Sequence, residues 1–188
     1  RLSSKSHWDI PIQIGSRVLH VLACHPTPPV FDGPEDRNGR RNHDEIRFWA
    51  DYITPGRAGY MYDDAGRKGG LDAGSRFIIL GDLNADPCDG DSTANALGQL
   101  LRHPSVIDPR PDSPGAEQAA QSTGPINAAH QSPPGRDTYA SPPGQEPGNL
   151  RLDYVLPSCK INVLDSAVFW PLRQQPSAVL INCSDHRM

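Results

Sequence analysis

Residues 77–87, Phe77-Ile78-Ile79-Leu80-Gly81-Asp82-Leu83-Asn84-Ala85-Asp86-Pro87, decide the fold. Four consecutive apolar side chains predict a strand covered on both faces. Gly81 lets the backbone turn or approach a neighbour closely. Asp82, Asn84 and Asp86 follow at alternate positions, and Pro87 ends the ladder because it has no N–H to donate. A buried strand that delivers acids at its carboxyl end is how an α/β protein builds a site. An Asx turn explains the same polar residues without any function, so this stretch alone leaves both readings open.

Upstream, Arg17–His25 (RVLHVLACH) predicts a second strand, with His25 at its tip and Pro26-Thr27-Pro28-Pro29 leading the chain out of the sheet. Residues 1–16 are polar with scattered apolar positions and end in a turn at Gly15-Ser16. Residues 30–45 interleave both charge signs, which predicts a loop. The loop is either a solvated surface or a site wall whose Arg37, Arg40 and Arg41 fork onto phosphate oxygens. A helix is expected from about Asn42 or Asp44, with Ile46, Trp49, Ala50 and Ile53 on one face, stopped by Pro55-Gly56. Residues 56–75 hold six glycines and the pair Asp63-Asp64, which reads as a long loop without the spacing of a calcium-binding loop.

Downstream, Ser92 is a natural N-cap for a helix carrying Ala96, Leu97, Leu100 and Leu101. Residues 103–149 are rich in Pro, Gly, Ser, Gln and Ala and read as a long surface insertion within one domain. Leu150–Leu156 alternates as a strand and places Asp153 inside it. A carboxylate there needs a partner, and histidine or arginine would serve. Residues 160–170 predict a further strand closed by Pro171, and the apolar run Val179-Leu180-Ile181 precedes Ser184-Asp185-His186.

Composition bounds the function. The 188 residues carry a formal net charge of −4, a sequence pI near 5.9, 20 prolines and 17 glycines. The chain lacks the basic footprint of a nonspecific nucleic-acid binder, although a local patch with a metal ion would suffice for a nuclease. None of Cys24, Cys88, Cys159 and Cys183 forms a Cys-x-x-Cys pair, which argues against zinc and leaves two disulfides or four thiols open. No apolar run is long enough to cross a membrane as a helix.

A histidine at one strand end, Asp-x-Asn at another, Asp within a third and Asp-His at the last form the inventory of phosphoester cleavage. Such cleavage needs oxygen ligands for a hard cation, a positioned water and donors for developing charge. Leu22-Ala23-Cys24-His25-Pro26, Gly81-Asp82-Leu83-Asn84, Leu152-Asp153-Tyr154-Val155-Leu156 and Ser184-Asp185-His186 occur in that order. The set resembles the endonuclease/exonuclease/phosphatase superfamily. His25–Ile53 and Asp82–Ser92 further resemble a bacterial-type subgroup that includes secreted members, which implies a secreted or periplasmic location.

The resemblance implies an α/β fold, a four-layer α/β/β/α sandwich of the deoxyribonuclease-I-like type. It implies a monomeric hydrolase dependent on Mg2+, or on Mn2+ or Ca2+ in its place. The substrate would be a phosphate ester: nucleic acid, a phospholipid head group or an inositol phosphate. By the same resemblance Asp82 orients or deprotonates water and Asn84 supports it. His186 contacts the scissile phosphate, Asp153 fixes the His186 tautomer, Asp185 is a metal ligand and His25 is a phosphate contact or proton donor.

One departure matters. The family carries an asparagine and a metal-binding glutamate upstream of the His strand, and the residues before His25 contain no glutamate. The expectation is that residues 1–188 are about the second half of the fold, with one sheet face uncovered, and that alone they bind magnesium weakly and turn over little. A non-catalytic scaffold of the same fold is the alternative from another class, and a calcium-binding surface module at Asp63-Asp64 or Asp89/Asp91 is a third.

Overall fold

The computed structural model describes residues 2–187. Its centre is a four-stranded mixed sheet in the order β1 (His7–Ile14), β2 (Arg17–Cys24), β3 (Arg76–Asp82) and β4 (Asp153–Pro157). β1 and β2 form an antiparallel hairpin across Gly15-Ser16, β2 and β3 run parallel, and β3 and β4 are antiparallel. The β2–β3 crossover contains helix α1 (Arg37–Tyr52). The fold is mixed α/β, as the family resemblance implied.

α1 lays Ile46, Trp49, Ala50 and the following Ile53 against Leu22, Phe77, Ile79 and Leu156 of the sheet, and Leu97 and Leu100 complete this core. Each of these large side chains removed from water contributes roughly 1.5–3 kcal/mol. The Trp49 indole donates to Cys24 Sγ at 2.9 Å, and burial pushes the Cys24 thiol up to about 12. All four cysteines are free. On the other sheet face Trp8, Ile10, Ile12 and Ile14 alternate along β1 and are exposed, as is Val155 of β4.

Several elements depart from the sequence reading. Residues 7–14, read as polar with scattered apolar positions, form β1, because pairing with β2 supplies the ladder that their own composition does not announce. The helix predicted from Asn42 or Asp44 begins at Arg37, so Arg37, Arg40 and Arg41 lie on α1 and the loop is shorter than 30–45. Ser92 makes no side-chain cap: residues Thr93–Asn95 form a 3₁₀ turn and the helix itself is only α2 (Gly98–Leu101). Residues 160–170 are not a strand. Val168 N–H donates to Asp112 at 3.1 Å, and Val168 and Trp170 pack on Ala116 instead of joining the sheet.

The segment 103–149 carries α3 (Pro114–Thr123), capped by Ser113, and α4 (Pro125–Ala128). Its far end returns to the sheet, where Thr138 and Tyr139 bond the Leu150 carbonyl at 2.9 Å.

Two buried polar residues of α1 tie the strand ends together. Asn42 Nδ2 donates to the carbonyls of Thr27 at 2.9 Å and Leu83 at 3.0 Å. Glu45 accepts from the N–H groups of Ser4 and Thr27, both at 2.6 Å. Replacing Asn42 by Leu leaves two carbonyls without donors and is expected to cost about 2–3 kcal/mol, since each unsatisfied buried group costs roughly 1–3 kcal/mol. Urea unfolding reads this directly, and an unchanged midpoint would show the carbonyls to be solvated.

Candidate active site

β2, β3 and β4 deliver the polar cluster at one end of the sheet. Asp82, the last residue of β3, pairs in register with Asp153, the first of β4. Two carboxylates directly opposite each other across a ladder repel. The approach of β2 requires Gly81, whose φ is +141° and whose added Cβ would lie 2.0 Å from the Cys24 carbonyl oxygen. The close contact between β2 and β3 brings His25 beside Asp82.

Imidazoles answer the acid pair. His186 Nδ1 lies 2.8 Å from Asp153 Oδ2, and its Nε2 lies 3.9 Å from Asp82 Oδ2. His25 Nε2 reaches the same Asp82 oxygen at 3.3 Å. An anionic Asp153 takes the Nδ1 hydrogen, which leaves Nε2 turned towards Asp82. Burial disfavours the charged His186 ring. The Asp153 hydrogen bond and the charges of Asp153, Asp82 and Asp185 outweigh it, so the His186 pKa lies above the ordinary histidine value. Burial also pushes the Asp153 carboxyl up, against hydrogen bonds from His186 and Thr138.

Asn84 does two things. Its N–H donates to Asp82 Oδ1 at 2.8 Å, closing an Asx turn, and its Nδ2 donates to the Pro26 carbonyl at 3.1 Å. The turn reading and the site reading of the Asp-x-Asn segment therefore describe the same geometry: the turn occupies one Asp82 oxygen and leaves the other facing the histidines. Asp86 has a different part. It is buried and accepts the N–H groups of Cys88 at 2.8 Å, Asp89 at 3.0 Å and Arg151 at 2.9 Å, so it joins the β3 end to the start of β4.

His25, Asp82, Asn84, Asp153 and His186 are brought together. Asp185 is exposed, and its backbone carbonyl accepts Ala140 N–H at 2.8 Å. Arg37, Arg40 and Arg41 are exposed on α1, and among the described residues no hydrogen bond or ion pair joins them to the cluster. Sequence reasoning missed Thr138 and Tyr139. Thr138 Oγ1 accepts the N–H groups of Leu152 at 3.0 Å and Asp153 at 2.9 Å, and the Tyr139 ring lies 5.5 Å from that of His186. Both sit in the Pro/Gly-rich segment, where composition hides a short pairing with the strand after it. Asn42 and Glu45 were also missed, although their spacing from Ile46 and Trp49 marks them as polar residues on a buried helix face.

Asp82, Asp153 and His186 each offer one ligand atom, all within 4.8 Å of one another, which makes this a candidate acidic metal site. Its fit to a hard cation is partial. Asp153 Oδ2 and His186 Nδ1 already satisfy each other, so Asp82 Oδ2 is the carboxylate oxygen open to an ion. Magnesium commonly takes one or two carboxylates and keeps water or substrate phosphate oxygens in its other positions.

Among solved structures, the chain resembles truncated TDP2 of Caenorhabditis elegans at 17% identity, with a TM-score of 0.42, over 98% of this chain and 63% of that one. The chain thus spans less than two thirds of that structure's length. No curated protein matches it. The profile of the Endonuclease/Exonuclease/phosphatase family matches residues 6–186 and so takes in every polar group from His25 to His186; the chain belongs to that family of phosphoester hydrolases, which in general depend on a divalent metal ion.

Proposed function

We propose that the protein hydrolyses a phosphodiester or phosphomonoester by attack of an activated water, with a divalent cation, Mg2+ first among them. The observation that carries this reading is Asp82 Oδ2, which faces two imidazole nitrogens at 3.3 and 3.9 Å while its partner oxygen is held by Asn84. Asp82 orients the water and takes its proton. His186, held by Asp153 through Nδ1, meets with Nε2 the negative charge that develops on the phosphoryl oxygens. His25 is exposed beside Asp82 and donates a proton to the leaving oxygen. Asp82, with the exposed Asp185 next to His186 in sequence, would help to hold the cation, which would polarise the phosphoryl group and lower the pKa of a bound water.

A scaffold would gain nothing from two carboxylates set opposite each other, so the non-catalytic alternative is disfavoured. Hydrolysis of bis(p-nitrophenyl) phosphate tests the reading. With the full-length protein, turnover is expected with added Mg2+ and is expected to disappear with a chelator and return on adding Mg2+ back, whereas residues 1–188 alone are expected to turn over little in either condition. Chelator-resistant hydrolysis would overturn the metal-dependent mechanism.

A further inference from the structure

The loop that leaves the site after His25 holds an aromatic side chain in a position that packing does not explain. Phe31 is 91% exposed, the highest value for a large apolar side chain among the described residues, and its φ is +65°. A left-handed backbone is an outlier for a bulky residue and persists only where the surroundings impose it. Here they do. Asn38, in the first turn of α1, clamps both neighbours: its Nδ2 donates to the Val30 carbonyl at 2.7 Å, and its N–H donates to the Asp32 carboxylate. Asp36 then bonds Gly33 through its N–H at 3.0 Å and Thr93 through its carboxylate at 2.5 Å. The ring is thus presented to solvent on a pinned segment.

The same helix turn carries charge against its own dipole. Arg37, Arg40 and Arg41 occupy the amino-terminal half of α1, with no acidic residue in the first turn. Cations at that end are unfavourable for the helix. All three are exposed, and among the described residues no hydrogen bond or ion pair engages their guanidinium groups. Of the nearby acids, Asp32 and Asp36 are engaged by Asn38 and Thr93. Spacings of three and four residues put the guanidinium groups along one stripe of the helix surface.

We propose that Phe31 is a stacking platform for an unpaired base, and that Arg37, Arg40 and Arg41 hold the flanking phosphates of a single-stranded nucleic acid entering the cleft. An exposed aromatic ring beside a row of cations is the combination that binds single strands without reading sequence. This rests on the phosphoesterase reading of the cleft and specifies its substrate class. Phe31 is a specificity residue, set apart from the proton-transfer groups.

Binding is measured without metal, so that it is independent of cleavage, by the anisotropy of a labelled oligothymidylate and of an abasic strand with the same number of phosphates. Phe31→Ala is expected to weaken oligothymidylate binding about 10-fold. Phe31→Trp should retain it, and binding of the abasic strand should be the same in both variants and in the wild type. Replacing the three arginines together by alanine should weaken both strands and flatten the salt dependence. Equal loss on both strands with Phe31→Ala would overturn the stacking role. So would unchanged oligonucleotide binding combined with loss of binding to vesicles containing anionic phosphatidylglycerol, which would make the ring a lipid anchor. Tight, Phe31-dependent binding with no hydrolysis under any metal would leave this inference standing while removing the proposed activity.

Discussion

Asp153→Asn is expected to lower turnover by about 100-fold or more, with KM changed only a few-fold. Removing a carboxylate that orients a working histidine typically costs 10–100-fold, and more where the wrong tautomer results. Asp153 Oδ2 accepts from His186 Nδ1 at 2.8 Å, and among the described residues no other side chain hydrogen-bonds that ring. An asparagine carboxamide can donate to Nδ1 and so place the remaining proton on Nε2 of a neutral ring. The Asp153 hydrogen bond and charge both raise the His186 pKa. Their removal lowers it, so the fraction of charged His186 falls at neutral pH, and the limb of the pH–rate profile that reports this group moves to lower pH. Stability should change little or rise, because the substitution also relieves the repulsion between paired Asp82 and Asp153. A folded variant with wild-type turnover and an unmoved pH profile would make Asp153 a structural residue.

The sheet centre was legible because its strands obey local rules. Residues 77–80 are apolar on both faces, and Arg17–Cys24 carries Val18, Leu19, Val21 and Leu22, so pattern and pairing agree. β1 was not, because Trp8, Ile10, Ile12 and Ile14 are spaced by Asp9, Pro11 and Gln13 and owe their strand geometry to β2. The reverse happened at residues 160–170, where a good local pattern found no free sheet edge and packed beside α3. In the site, the charged groups could be named from the sequence because each interrupts an apolar strand or follows one directly. The residues that hold them, Asn42, Glu45 and Thr138, could not, since their partners are backbone groups 14 to 41 positions away. Phe31 shows the same limit from the other side. A single aromatic residue in a charged run says nothing until the clamp by Asn38 is seen.

Asp137 supplies the other large expected effect, on stability. Its side chain is 1% exposed, and neither carboxylate oxygen has a hydrogen-bond partner among the described residues. Burial, with the nearby charges of Asp86 and Asp89 adding to it, pushes the carboxyl up to about 8. In the unfolded chain an aspartic acid titrates near 3.9. Between these values the folded protein keeps a proton that the unfolded chain has lost, so the unfolded state binds fewer protons and stability falls as pH rises through that window. Below about pH 4 the penalty is absent; above about pH 8 it is complete. Asp137→Asn removes this titration while keeping the shape. It is expected to leave urea unfolding nearly unchanged at pH 3.5 and to stabilise the protein by about 3 kcal/mol or more at pH 9, since each tenfold displacement of an ionisation equilibrium is worth about 1.4 kcal/mol. The effect should reach the site, because the adjacent Thr138 holds the Leu152 and Asp153 N–H groups and accepts Arg187 N–H at 2.6 Å. The variant should therefore also keep activity to higher pH than the wild type. Parallel pH dependences of stability in the two proteins would show that Asp137 is ionised and solvated in the native state.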